Sequence, residues 1–299
     1  MNICYLFSGQ GSQFKEMGQD LYKSNSIYKE TIDEASKTLD LNLADPDIFD
    51  NPNNTQISIL TMSVAIYRIL ADKLDKPVAM MGLSLGEYSA LVAAKALSFQ
   101  SGLKLVHDRS RYMDAAGKQN PGSMAAVLGV SPDFVKNVCD QIDDVYPANY
   151  NAKKQTVIGG TKEGVQKAMT ELKEKGAKRV IPLKVSVASH TPLMQPASDQ
   201  LAKRLESVEF DEPEFDVISN TTVKPFNTDT IKETLTNQLV NPTHFMQDVA
   251  SIEDKNIDAF IEIGPGNTLS KLAKKTLKAD TYNVESVDTL NDLLDKLGE

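Results

Sequence analysis

The chain has no tryptophan, and among its 299 residues there are only two cysteines and three histidines. Cys4 and Cys139 are too few for a disulfide framework and show no paired spacing of a metal site. One falls in a predicted strand and the other in a predicted helix, so both read as core residues. With only His107, His190 and His244 present, the choice of an imidazole base is narrow. No apolar run approaches the roughly 18 residues of a membrane span, and Ile3-Cys4-Tyr5-Leu6-Phe7 has neither the basic flank nor the length of a secretory signal. The expectation is a cytoplasmic protein that binds no membrane. Positive charge is also scarce: 32 Lys+Arg against 41 Asp+Glu leave a net charge of −9, which argues against nucleic-acid binding but allows a local basic patch.

Apolar residues are plentiful, 41% of the chain, enough for one large α/β core with or without a smaller insertion. The stretch 77–91 organises the rest. Pro77-Val78-Ala79-Met80-Met81 has the length of a buried strand, Gly82-Leu83-Ser84-Leu85-Gly86 is a tight turn, and residues 87–97 carry helix formers with Leu91, Ala94 and Leu97 along one face. In that setting G-x-S-x-G reads as a nucleophile elbow, a strained turn that lifts the serine hydroxyl clear of the sheet. Glycine is needed at 82 and 86 because a β-carbon there would strike the adjoining strand or helix. Ser84 would sit over a helix N-terminus, whose unpaired N–H groups favour a developing oxyanion. The bland alternative is an ordinary turn with a solvated serine.

Ile3 to Phe7 reads as a buried strand that runs into Ser8-Gly9-Gln10-Gly11-Ser12-Gln13. With glycines at 9, 11 and 18 this is neither a Walker loop nor a dinucleotide fingerprint, but its backbone N–H groups can approach an anion. Residues 14–39 read as a helix, Asp45-Pro46 and Asn51-Pro52-Asn53-Asn54 as loop, and a second helix begins near Thr55 with Leu60, Val64, Tyr67 and Leu70 at helical spacing. Residues 98–116 form a further helix bearing His107, Asp108, Arg109 and Arg111, where most arginines are solvated. After a loop at 117–122 the rhythm changes. Strand 124–128, helix 132–142, strands 145–149 and 155–159, helix 162–175 and strand 180–185 give βαββαβ, the ferredoxin-like order, so an inserted subdomain is expected. The α/β alternation resumes with Asp216-Val217-Ile218-Ser219, a helix from Asp229, the strand Ala259–Ile263, the turn Gly264-Pro265-Gly266 and another helix.

A serine nucleophile needs a base within hydrogen-bond reach. His107 lies in a polar helical run that suits a solvent-facing role, and His244, in Asn241-Pro242-Thr243-His244, stands at a helix start where capping is enough to explain it. His190 ends the strand-like Val185-Ser186-Val187-Ala188-Ser189 and precedes Thr191-Pro192, at a strand tip where the elbow serine should also open. His190 is therefore preferred, against a structural role for the same residue. No acid is singled out by spacing to complete a triad.

Taken together, Gly9-Gln10-Gly11-Ser12-Gln13, Thr55-Gln56, the run from Gly82 to Leu91, Arg109, Ser189-His190 and Gly264-Pro265-Gly266 follow the order seen in malonyl-CoA:acyl carrier protein transacylases. The chain resembles that family over nearly its whole length. The resemblance implies an α/β, hydrolase-like parallel-sheet core, residues 1–121 and 187–299, interrupted by a ferredoxin-like α+β subdomain at 122–186. It implies Ser84 as acyl-accepting nucleophile, His190 as its base, and the backbone N–H groups of Gln10 and Leu85 as the oxyanion hole. Arg109 would pair bidentately with the free carboxylate of the malonyl group, a reason for a helix to turn a guanidinium inward. Gln56 and Asn151 match positions near the acyl pocket, and the backbone carbonyl of His244 matches one that orients the catalytic imidazole. The chain departs from the family pattern at Leu83, commonly histidine, at Ile57-Ser58 after Thr55-Gln56, at His244, where relatives carry arginine or glutamine, and in the Val187-Ala188-Ser189 segment, which lacks a common phenylalanine.

The implied reaction is ping-pong transfer from malonyl-CoA to the phosphopantetheine thiol of acyl carrier protein, with no bound metal or redox cofactor and a monomeric enzyme. Carrier proteins are acidic, so Lys153, Lys154, Lys173, Lys175, Lys178 and Arg179 are the expected docking patch, against a solvated face. Three alternatives stay open: a discrete acyltransferase serving a polyketide synthase, a serine esterase, and a catalytically silent binding subunit.

Overall fold

Every residue of β1 (Ile3–Phe7) is buried, and its side chains alternate between two apolar clusters, Ile3, Tyr5 and Phe7 in one and Cys4 and Leu6 in the other. A strand apolar on both faces belongs inside a parallel sheet covered by helices on each side. The computed structural model, which describes residues 1–297, puts it there. The other strands are β2 (Ala79–Gly82), β3 (Gly122–Leu128), β4 (Val145–Ala152), β5 (Gln155–Thr161), β6 (Arg179–Pro182), β7 (Val217–Ile218), β8 (Ala259–Ile263) and β9 (Asp280–Val284). A five-stranded parallel sheet has the order β7-β2-β1-β8-β9. The chain fills one side of β1 before crossing to the other, so β1 is a switch point, and the crevice beyond its carboxyl end is where such sheets hold ligands.

A separate four-stranded antiparallel sheet, order β4-β5-β3-β6, carries the helices Pro132–Cys139 and Lys162–Glu174 around its own apolar cluster. The two layers touch where Tyr150 N donates to Thr243 O at 2.8 Å and Thr243 N to Ala148 O at 2.9 Å. Among the described residues no helix is long and apolar enough to cross a membrane.

Several element boundaries differ from expectation for identifiable reasons. The helix expected over 14–39 is two helices, Gln19–Ser24 and Ser26–Leu39, because Asn25 leaves helical geometry and its side chain caps Tyr28 N. The helix expected to end at 116 runs on as Phe99–Gln119, with Gly117 packed so closely on Val187 that a β-carbon would lie 2.2 Å from Cγ1. β6 stops at Pro182, which has no N–H for the ladder, and residues 185–189 form no strand. The short strand β9 had no counterpart in the sequence reading.

Candidate active site

Three glycine-bearing turns leave the carboxyl ends of β1, β2 and β8 side by side, since Phe7 is in register with both Gly82 and Ile263. Their glycines are required by close approach. A β-carbon at Gly82 would sit 2.0 Å from the Gly86 carbonyl carbon, and one at Gly86 would sit 2.1 Å from Phe7 O. One at Gly9 would meet Leu83 O at 2.5 Å, so the loop carrying Gln10 lies directly against the elbow. Ser84 has φ +54, in the left-handed region that a β-carbon disfavours, and the helix Gly86–Ala93 starts just behind it. That strain is offset by tethers: Ser84 N donates to Asn220 Oδ1 at 2.8 Å, and Gln238 Nε2 donates to Ser84 O at 3.0 Å.

Arg109 is buried, 1% exposed, on the helix Phe99–Gln119, where most arginines would be solvated. Its Nη1 donates to Gln56 Oε1 at 2.7 Å, and its Nη2 donates to Ser84 Oγ at 3.0 Å and Gln238 Oε1 at 3.1 Å. The guanidinium lies 5.3 Å from the centre of the Tyr88 ring, and its Nε has no partner among the described residues. Every acceptor it meets is neutral. Burial pulls its pKa down, with Tyr88 and Glu87 pulling the other way. Gln56 passes the arrangement on, donating to Gln10 Oε1 at 3.2 Å.

His190 is buried and holds φ +63. Its Nδ1 lies 2.8 Å from Gln238 O. A carbonyl only accepts, so Nδ1 carries the proton and Nε2 presents its lone pair. Burial lowers the imidazole pKa to about 4, so the ring is a neutral base at physiological pH. Ser84 and His190 make no direct hydrogen bond here; Gln238 joins them, through its side chain to one and its main chain to the other.

The carbonyl that orients the imidazole is thus that of Gln238, and the expectation for His244 is corrected. His244 N donates to Asn220 O, its own carbonyl accepts from Asp248 N as a helix begins, and its ring stacks on Tyr150 at 5.1 Å. A helix-terminal carbonyl such as that of Gln238 has no intrahelical partner and is free for the histidine. Asn151 is buried on β4 with an unpartnered Oδ1, beyond a register shift, but makes no hydrogen bond to Ser84, Arg109 or His190. The N–H groups of Gln10 and Leu85 donate to no protein acceptor among the described residues. His107 stays half-buried on its helix.

Beneath the elbow lies a buried polar layer that sequence reasoning missed. Glu87 accepts from Asn220 N and Gln238 Nε2, and Asn220 Nδ2 donates to Asp248 Oδ2 at 2.7 Å. Burial pushes Glu87 up to about 7 against those hydrogen bonds, and raises Asp248 as well. Glu87 stood in the elbow motif without a role, while Gln238, Asn220 and Asp248 carry no spacing that marks them. Among the described residues no three His, Cys, Asp or Glu side chains gather as metal ligands would.

The acyl transferase domain family matches residues 4–293. The chain belongs to this acyl transferase family. Within it, the chain is 38% identical over 309 residues to the malonyl CoA-acyl carrier protein transacylase of Bacillus subtilis, covering 99% of this chain and 98% of the relative. The transacylase of the same name from Escherichia coli K12 is 38% identical, with 95% and 96% covered. Among solved acyl transferase structures, the MCAT from Streptococcus pneumoniae superposes with TM-score 0.94 at 41% identity, covering 99% of this chain and 100% of that one. A type II PKS acyl-carrier protein in complex with its malonyl-transacylase, PlMCAT:AntF, gives TM-score 0.93 at 34% identity with 99% and 100% covered.

Proposed function

We propose that the protein transfers a malonyl group from malonyl-CoA to the phosphopantetheine thiol of acyl carrier protein through a malonyl ester of Ser84, supplying fatty-acid synthesis. One observation carries the choice of acyl group. Arg109 is a buried cation beside the nucleophile, and its acceptors are two amide oxygens and a hydroxyl. A buried charge with no anion in contact is costly, and a substrate carboxylate supplies that contact. The same event frees the nucleophile. When the carboxylate takes the Arg109 N–H groups, Ser84 Oγ is released to give its proton to His190 Nε2 and attack the thioester carbonyl. The N–H groups of Gln10 and Leu85 receive the oxyanion, and CoA departs as the thiol with the proton from His190. The carrier thiol then gives its proton to His190, attacks the ester, and Ser84 leaves with that proton.

The two layers support a reading as a hydrolase-like core, residues 1–121 and 187–299, with a ferredoxin-like subdomain at 122–186; the strand order of the second sheet favours the latter. All proposed catalytic groups come from one chain, which favours a monomeric enzyme, and a cytoplasmic location is proposed along with the malonyl-CoA and carrier-protein substrates of this reading. Lys153, Lys154, Lys173, Lys175, Lys178 and Arg179 are exposed and form the proposed face for the acidic carrier. Asn151 is assigned to the pocket wall on the strength of its open Oδ1.

The test is transfer in two stages. Enzyme treated with labelled malonyl-CoA and freed of CoA should pass its label to phosphopantetheinylated carrier protein and return to its original mass. Label lost to water at the same rate without carrier would favour an esterase. The likeness to a transacylase solved with a polyketide carrier protein supports a second reading, in which the acceptor serves polyketide synthesis. Fatty-acid and polyketide carriers assayed side by side distinguish the two.

A further inference from the structure

We infer that Gln238 aims Arg109 at the acyl pocket, and that by remaining neutral it sets the preference for acidic over uncharged acyl groups. Gln238 ends the helix Ile231–Gln238 and is fully buried. Its amide is used at both ends: Oε1 accepts from Arg109 Nη2, while Nε2 donates to Ser84 O and to the Glu87 carboxylate. Neither end can be exchanged. A guanidinium only donates and the Ser84 carbonyl only accepts, so a flipped amide would set donor against donor and acceptor against acceptor. The Ser84 carbonyl thereby locks the polarity of Gln238, with Glu87 accepting from the same Nε2, and Gln238 fixes the direction of Arg109.

Gln56 holds the other nitrogen of the guanidinium, so two neutral amide oxygens steer the cation without cancelling its charge. An acid at position 238 would occupy Arg109 as a permanent counter-ion and compete with the acyl carboxylate. The His190 contact runs through the main-chain carbonyl of Gln238 and survives substitution of the side chain. Base function and acyl selection are therefore separable at this residue.

This inference rests on the malonyl-transfer reading, and the experiment distinguishes the two. The rate of Ser84 ester formation is measured by quench and intact mass with malonyl-CoA and with acetyl-CoA, for wild type, Gln238→Glu and Gln238→Met. Gln238→Glu should lose about 30-fold or more of the malonyl rate, and the acetyl rate should fall far less. Gln238→Met, of similar volume without the amide, should lower the malonyl-to-acetyl ratio by about 10-fold. The pH midpoint of acylation should stay in place in Gln238→Met, whose main-chain carbonyl still meets His190. Equal losses with both thioesters, an unchanged ratio, or unfolding of both variants would assign Gln238 to the scaffold alone and overturn the inference. A wild type that takes up acetyl as readily as malonyl would instead refute the functional reading.

Discussion

Ser84 and His190 share a rare property, a positive φ on a residue with a side chain. Such strain is held in place only where the surroundings over-determine it, and Asn220, Gln238 and the Leu239 carbonyl do so here. The low His190 pKa, about 4, has two consequences. Acylation of Ser84 should stay level from about pH 8 to pH 5 and fall below that with a midpoint near the imidazole pKa, as read by rapid quench. Between its ordinary value of 6.5 and about 4 the unfolded chain holds a proton on this residue that the folded chain does not, so its contribution to stability is lost as pH falls through that window. Glu87 acts in the opposite sense. With a pKa of about 7 against 4.5, the folded state keeps a proton that the unfolded state releases, and this contribution is lost as pH rises between those values. Removing it with Glu87→Gln should make stability rise more steeply with pH from 4.5 to 7 in denaturant titrations. Ser84 and Arg109 were legible in the sequence, one from its glycines and the other through a family resemblance. Gln238 was not, because a glutamine at a helix end looks the same whether it faces water or a buried guanidinium.

At the level of elements, the strand, turn and helix around Ser84 were readable because their apolar run, two glycines and helix formers all point to one structure. The elbow tolerates no β-carbon at Gly86, where the obstacle is the main-chain oxygen of Phe7. Gly86→Ala should lower stability by about 3 kcal/mol, measured in urea, and slow acylation of Ser84 as the turn reopens. The segment before His190 misled for a physical reason. Leu183, Val185 and Val187 alternate with Lys184 and Ser186 as a half-buried strand would, yet Leu183 and Val185 are 37% and 44% exposed. Alternation reveals a strand only when one face is covered along its length, and here Leu183 and Val185 stand open while only Val187 packs, against Gly117. The hairpin β4–β5 of the second sheet was legible because its connection is local. The position of β9 beside β8 was not, since its residues Asp280–Val284 mix polar and apolar without a clear period.

For the molecule as a whole, a net charge of −9 sets a general repulsion against acidic proteins, so an acidic carrier must be met by a local field. Lys178 and Arg179 lie at the start of the edge strand β6 and are exposed. The double charge reversal Lys178→Glu/Arg179→Glu should reduce kcat/KM for carrier protein by about 10-fold or more, least at high salt, while acylation by malonyl-CoA is unchanged. Unaltered carrier turnover would place docking elsewhere. The account as a whole depends on Arg109 supplying a buried positive charge whose N–H groups meet only neutral acceptors until an acyl carboxylate arrives. Intact-mass analysis of wild type and Arg109→Ala, each mixed with malonyl-CoA or acetyl-CoA, tests that directly. Wild type should gain a single malonyl group that Ser84→Ala cannot take up, and Arg109→Ala should lose malonylation by about 100-fold while still accepting acetyl. Malonyl loading that is as fast without Arg109 as with it would contradict the account.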